Sequence, residues 1–178
     1  MADKRSAGIL LFRRVGTEPE VLLGHMGGPF WERRDSGAWS VPKGEYETDE
    51  DPEAAARREF EEELGLPVPA VDLAQLGAVR QSSGKVVTVW AAESDLDPDD
   101  VVPGTFTMEW PRGSGQISEF PEVDRVAWFG LEQAREKIVT GQRAFLDRLL
   151  ERLGGGSMAA RAADHEGESR EEFSCPSS

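Results

Sequence analysis

Glutamate fills four of the five positions from Glu59 to Glu63, Phe60 being the exception. Glu59, Glu62 and Glu63 stand at i, i+3 and i+4, so a helix would set their carboxylates on one side. Ala56, Phe60 and Leu64 would fall on the adjacent side, where they can anchor the helix to a sheet. The start and stop signals agree with a helix over about Pro52–Leu64. Asp51 is a good N-cap and Pro52 suits the first helical position, while Gly65 is a good terminator. Exposed like charges at this spacing cost roughly a few tenths of a kcal/mol per pair. Buried, they would cost far more unless protons or a cation compensate. Oxygen donors of this kind suit hard divalent ions such as Mg²⁺ or Mn²⁺. On the helix alone two readings stand side by side: a solvated acidic face, or a cation site.

The flanking residues extend the pattern. Gly44, Glu50, Arg58, Glu59, Phe60, Glu62, Glu63, Gly65 and Leu66 follow the spacing G-x5-E-x7-R-E-U-x-E-E-x-G-U, where U is apolar. This is a complete Nudix box, and the chain resembles the Nudix hydrolases. An opening strand of small and apolar residues, the Trp39–Gly44 run WSVPKG and a late Glu-rich loop leading to Trp128 and Phe129 extend the likeness. The resemblance implies an α+β fold in which a mixed sheet is sandwiched between helices. It also implies hydrolysis of a diphosphate linked to another group, with Mg²⁺ or Mn²⁺ as cofactor. Carried over by position, Glu59, Glu62 and Glu63 become the metal-binding carboxylates, with Glu59 also a candidate for activating water. Arg58 would hold a carboxylate in place, and Glu50 would brace loop and helix. Gly44 would let the backbone turn tightly beside the metal, where a nearby carbonyl is a candidate ligand. A further acid is expected from a late loop. Glu109, Glu119 and Glu122 are the candidates, and Glu122 is favoured because it directly precedes the last strand.

Substrate contacts are expected from three residues before or beside the box. Lys43 is placed to reach a phosphate as a point charge. In the loop HMGGPFWERRDSGAW, Trp31 is the candidate for stacking on a base and Arg33 for a phosphate. Trp39 and His25, at strand ends, read as packing and structural groups. The Trp110–Gln116 segment WPRGSGQ reads as a mobile loop over the pocket. The Pro42-Lys43-Gly44 run is most similar to the branch with dinucleoside polyphosphate and diphosphoinositol polyphosphate hydrolases.

The elements that must position these groups are legible in outline. Ala7–Arg14 and Glu20–His25 are short apolar runs around a turn with Gly16 and Pro19, which reads as a β-hairpin. Trp39–Val41, Leu73–Gln81, Lys85–Glu93, Phe106–Trp110 and Arg125–Gly130 read as further strands. A C-terminal helical segment carries Ile138, Phe145, Leu149 and Leu153 as a buried stripe, with a break at Gly141. The domain is expected to span residues 1–153. From Gly154 large apolar residues nearly vanish, the composition of a disordered tail over 154–178.

Composition narrows the function. The chain has 178 residues, with 20 basic against 34 acidic side chains and a net charge of −14. That argues against nonspecific nucleic-acid binding, which depends on Lys and Arg neutralising phosphates. No apolar run approaches the roughly 18 residues of a membrane span. The start reads as a first strand rather than a signal peptide, and the cytoplasm is the default location. The single cysteine, Cys175, excludes an internal disulfide and a cysteine metal cluster, and its place in the tail disfavours the cysteine-dependent isomerase of this fold. The expected partner is a small-molecule diphosphate, with dimerisation left open. The expected activity is metal-dependent cleavage of a diphosphate linkage in a nucleoside triphosphate or dinucleoside polyphosphate. The alternatives are a sugar nucleotide or inositol pyrophosphate as substrate, or a regulator that binds a nucleotide without cleaving it.

Overall fold

The hairpin at Gly16 opens the chain. β1 (Arg5–Val15) and β2 (Glu18–Met26) pair antiparallel from Phe12↔Val21 to Val15↔Glu18. Gly16 supplies the positive φ of the turn, +65°. These coordinates are a computed structural model, which describes the backbone of residues 3–163 and the side chains of residues 3–154.

Away from the turn the two strands part. β1 then pairs through Ser6–Gly8 with β4 (Lys43–Glu45), while β2 pairs through Gly24 and His25 with β3 (Trp39–Ser40). The segment between β3 and β4 enters this wedge, and Ile9 N–H donates to the Pro42 carbonyl at 3.2 Å. Gly8 makes the close approach feasible, since a Cβ there would lie 2.6 Å from the Cβ of Lys43. The other edge of β1 runs parallel to β6 (Val86–Glu93), which carries β5 (Ala74–Arg80) antiparallel beside it. β9 (Val123–Gly130) lies antiparallel on the outer edge of β2. β7 (Thr105–Glu109) and β8 (Ile117–Pro121) form a separate two-stranded sheet.

Alternation along β1 divides the core. Ala7, Ile9 and Leu11 face α1 (Pro52–Leu64), where Ala56, Phe60 and Leu64 are fully buried. Leu10 and Phe12 face the opposite way, onto Ile138, Phe145, Leu146 and Leu149. Those residues belong to the segment of α2 (Leu131–Lys137) and α3 (Arg143–Ala163). A central strand that is apolar on both faces needs cover on both sides, and the helices provide it. The architecture is the α+β sandwich expected.

Three details differ from the expectation. The late Glu-rich segment is not all loop, because Ile117–Pro121 forms β8 against β7. Its residues alternate exposed and half-buried in a ribbon outside the main core, so no strong apolar pattern marks it. Trp110–Gln116 is correspondingly the closed end of that ribbon: Trp110 N–H donates to Gln116 O at 2.9 Å, and Gly115 N–H donates to the Glu109 carboxylate at 2.6 Å. The C-terminal helix does break near Gly141, at a 3₁₀ turn over Thr140–Gln142, but α3 then continues through the glycines to Ala163. His165 and Cys175 lie outside the described residues. Among those described, no helix is long and apolar enough to cross a membrane.

Candidate active site

Helix α1 is defined at both ends by local chemistry. The Asp51 carboxylate accepts from Ala54 N–H at 2.9 Å, and Pro52 occupies the first turn. Gly65 closes the helix in the left-handed conformation, with φ +65°, and donates its N–H to Glu61 O. Phe60, fully buried against β1 and β6, fixes the rotation of the helix about its axis. Glu59, Glu62 and Glu63 are thereby held at the border between core and solvent.

Arg58 organises this border. Its guanidinium meets Glu50 with two parallel bonds, Nε to Oε1 at 2.9 Å and Nη2 to Oε2 at 3.1 Å. Nη1 donates to Glu59 Oε1 at 2.6 Å and reaches Glu62 at 3.3 Å. The fork therefore ties the loop before the helix to two of its carboxylates. Glu63 turns the other way and accepts from the Lys43 backbone N–H at 3.0 Å, which fixes β4 against α1.

Gly44 lies directly beneath Glu59, and a Cβ on it would collide with the Glu59 carboxylate. The expected tight turn at Gly44 is not what the structure shows. Gly44 sits within β4 and is not among the positive-φ glycines, so space rather than backbone freedom is its reason.

Of the three late acids, Glu122 is the one that lies near the helix. Its oxygen lies 3.2 Å from where a Gly104 Cβ would sit, and that same Cβ would be 2.8 Å from the Glu62 carbonyl. Glu122 feels the charges of Glu59 and Glu62. Glu109 instead accepts from Gly115 N–H within the ribbon's end, and Glu119 is exposed on β8 opposite Thr107.

The electrostatics are those of under-compensated anions. Burial pushes the Glu59 carboxyl above its ordinary value against the pull of Arg58. Glu122 is pushed up by burial and by the charges of Glu59 and Glu62. Burial pushes Glu63 up and Lys43 down, while the charge of each opposes the shift of the other. Among the described residues no three acidic, histidine or cysteine side chains converge into a finished metal cage. Arg58 draws Glu59 and Glu62, and the Lys43 amide draws Glu63. The donor set is nonetheless all oxygen and anionic, which fits a hard divalent cation.

The expected substrate contacts lie in different surroundings. Lys43 is at the cluster, half-buried, with the charges of Glu63, Lys85, Glu45 and Glu59 acting on it. Trp31 packs against the core on the α3 side, with the Arg34 guanidinium 5.5 Å from its ring centre. Arg33 is exposed in the same loop. Trp39 is core, its indole N–H donating to Asp35 at 2.9 Å. His25 is fully buried between Asp124, at 2.7 Å, and the Arg34 carbonyl, at 2.6 Å.

Two supporting residues escaped the sequence reading. Gln142 is buried, accepts from Val41 N–H at 3.0 Å and donates to Ser40 Oγ at 3.0 Å, so it anchors the strand that delivers Lys43 and Gly44. Gly104 gives Glu122 room beside α1. Nothing local marks either one, because each acts on residues far away in sequence.

Comparison with known proteins identifies the family and the fold. A curated RNA pyrophosphohydrolase of Gluconacetobacter diazotrophicus is 38% identical over 133 residues, covering 60% of this chain and 75% of that protein. Another, of Hahella chejuensis, is 43% identical over 54 residues; the match spans about a third of that protein, 34%. Among solved structures, a C. elegans Ap4A hydrolase binary complex superposes with TM-score 0.60 at 24% identity, over 85% of this chain and 98% of that one. The NUDIX domain of Shewanella oneidensis NrtR, complexed with ADP ribose, superposes with TM-score 0.58 at 20% identity, over 86% and 90%. At these identities the structural matches show the fold. The family model described as NUDIX domain matches residues 2–149, and the chain belongs to the NUDIX family.

Proposed function

We propose that the protein is a metal-dependent pyrophosphohydrolase that cleaves a diphosphate linkage in a nucleoside-type substrate, a nucleoside triphosphate or dinucleoside polyphosphate. The observation that carries this reading is the set of box carboxylates on α1: the Arg58 fork ties Glu50, Glu59 and Glu62 together, Glu63 on the same helix accepts from the Lys43 amide, and Glu122 lies near enough to feel the charges of Glu59 and Glu62. The relatives' names support the substrate class, since an RNA pyrophosphohydrolase and an Ap4A hydrolase both act on nucleoside-containing phosphates. The net charge of −14 favours a small substrate over a long nucleic acid.

Glu59, Glu62, Glu63 and Glu122 would hold Mg²⁺ or Mn²⁺, with a backbone carbonyl near Gly44 as a further ligand. Such ions neutralise phosphate charge and lower the pKa of bound water. The chain's own groups do the rest. Arg58 holds Glu59 where its carboxylate can accept a proton from the attacking water. The hydrogen bond from the Lys43 backbone N–H to the Glu63 carboxylate keeps β4 and the helix in register. The Lys43 ammonium would neutralise a phosphate oxygen.

The test is a turnover screen with Mg²⁺ or Mn²⁺ over nucleoside triphosphates, dinucleoside polyphosphates, sugar nucleotides and diphosphoinositol polyphosphates. Cleavage of a nucleoside polyphosphate is expected, with a loss of orders of magnitude in Glu62→Gln at an unchanged melting temperature. A Glu62→Gln protein with near-normal turnover would remove the assignment.

A further inference from the structure

A cavity lies where the loop after β2 meets the end of β8 and the start of β9. It has a volume of about 290 Å³, with Pro29, Trp110 and Phe120 among its walls and Glu32 and Asp124 as its acidic groups. Pockets for drug-sized ligands run from about 300 to 1,000 Å³, so this one suits a single base rather than a whole dinucleotide. Its position is set by Gly27, whose N–H donates to the Glu122 carbonyl at 3.0 Å. A Cβ on Gly27 would collide with the Pro121 carbonyl, so the loop seats flush against the strand end. The same residue thus turns its side chain to the glutamate cluster and its carbonyl to the loop that lines the cavity.

The walls suit a flat ring. Trp110 meets Phe30 edge to face, at 5.4 Å between centroids and 80° between planes. That arrangement leaves at least one face of each ring uncovered by the other. The Arg112 guanidinium lies 4.9 Å from the Phe30 centroid and sets a positive charge beside this aromatic pair. Aromatic faces bind any base, so they give affinity without choice.

The choice lies with the carboxylates. Asp124 is engaged by His25 and Arg125. Glu32 is exposed, and its carboxylate accepts no hydrogen bond or ion pair from a described residue. A carboxylate offers two adjacent acceptors. Guanine alone among the common bases offers two adjacent donors on one edge, N1–H and the 2-amino group. Adenine and cytosine set an acceptor beside their amino group, and uracil flanks its N–H with carbonyls.

We propose that this cavity is the base subsite, that Trp110 is its stacking surface, and that Glu32 makes it select guanine. This rests on the nucleoside-type reading given above. The test is calorimetric titration, with Mg²⁺ present, of cleavage-resistant methylene-bridged analogues of GDP and ADP. The guanine analogue should bind at least about fivefold tighter, the lower end of discrimination by one two-bond base contact. Glu32→Gln should erase that preference, and Trp110→Ala should weaken both analogues about fivefold or more. Trp110→Phe should restore most of the loss, which separates stacking from misfolding. Equal affinity for the two analogues in the wild type, or a preference unmoved by Glu32→Gln, would overturn the proposal. Guanine-selective binding without turnover of any nucleotide would keep the subsite and remove the hydrolase reading. Turnover of a diphosphate without base discrimination would do the reverse.

Discussion

At the scale of single residues, the site is built from contacts that leave no slack. Gly44 shows this most plainly. A methyl group there would collide with the Glu59 carboxylate, which Arg58 already holds at 2.6 Å. Either the carboxylate or β4 must shift. Forcing extra atoms into packed space costs typically about 1–3 kcal/mol. Gly44→Ala is therefore expected to cut turnover at least about tenfold, since small displacements of a reacting group cost that much or more. It should also raise the Mg²⁺ concentration needed for half-maximal rate. Steady-state rates over a Mg²⁺ titration, beside a melting curve, check this. Wild-type rates in Gly44→Ala would show that Glu59 is not confined as described. The sequence motif names this glycine, but the spacing pattern cannot say why it is there. A turn requirement was the natural guess; the actual cause is a side chain fifteen positions on, visible only when the helix is folded against β4.

At the scale of elements, helix α1 is the part most fully written into local sequence. Its cap, its first-turn proline and its terminal glycine were all readable, and the boundaries Pro52–Leu64 agree with them. Those signals act within one turn, so they need no tertiary information. The hairpin of β1 and β2 was legible for the same reason. The β7–β8 ribbon was not, because a strand outside the core carries no strong apolar alternation. The hold of Gln142 on Ser40 and Val41 was not legible either, since it joins groups about a hundred residues apart. The division between local and distant signals predicts two kinds of mutant. Asp51→Ala should lower stability by about 1 kcal/mol, the usual cost of a lost N-cap, with turnover nearly kept. Phe60→Ala should cost about 3–5 kcal/mol, because it empties a fully buried site beneath the glutamates. Denaturant melts of both variants, with turnover measured where each is folded, separate the two. A Phe60→Ala protein as stable as Asp51→Ala would mean that the helix is not anchored there.

At the scale of the whole molecule, the crowded carboxylates should make stability depend on pH in a direction the geometry fixes. Burial and mutual repulsion raise Glu59 and Glu122 in the folded chain above the ordinary glutamate value of 4.5. The folded state then holds protons that the unfolded chain has lost. Their contribution is fully present below pH 4.5 and disappears as the pH rises through the folded values. Burial raises Glu63 and lowers Lys43, so their effects on the proton count oppose each other. The net charge of −14 also favours unfolding at high pH through general repulsion, so the wild-type slope alone would not locate the cause. Glu122→Gln locates it. Without divalent cations this variant should melt with the wild type at low pH and above it near neutrality. Mg²⁺ should close that gap by stabilising the wild type, since a cation on the carboxylates replaces the protons and releases them. Melting curves across pH, with and without Mg²⁺, for both proteins make the comparison. Parallel curves at every pH would show that Glu122 does not share a charge cluster with the helix, and the site would then have to be redrawn around Glu59, Glu62 and Glu63 alone.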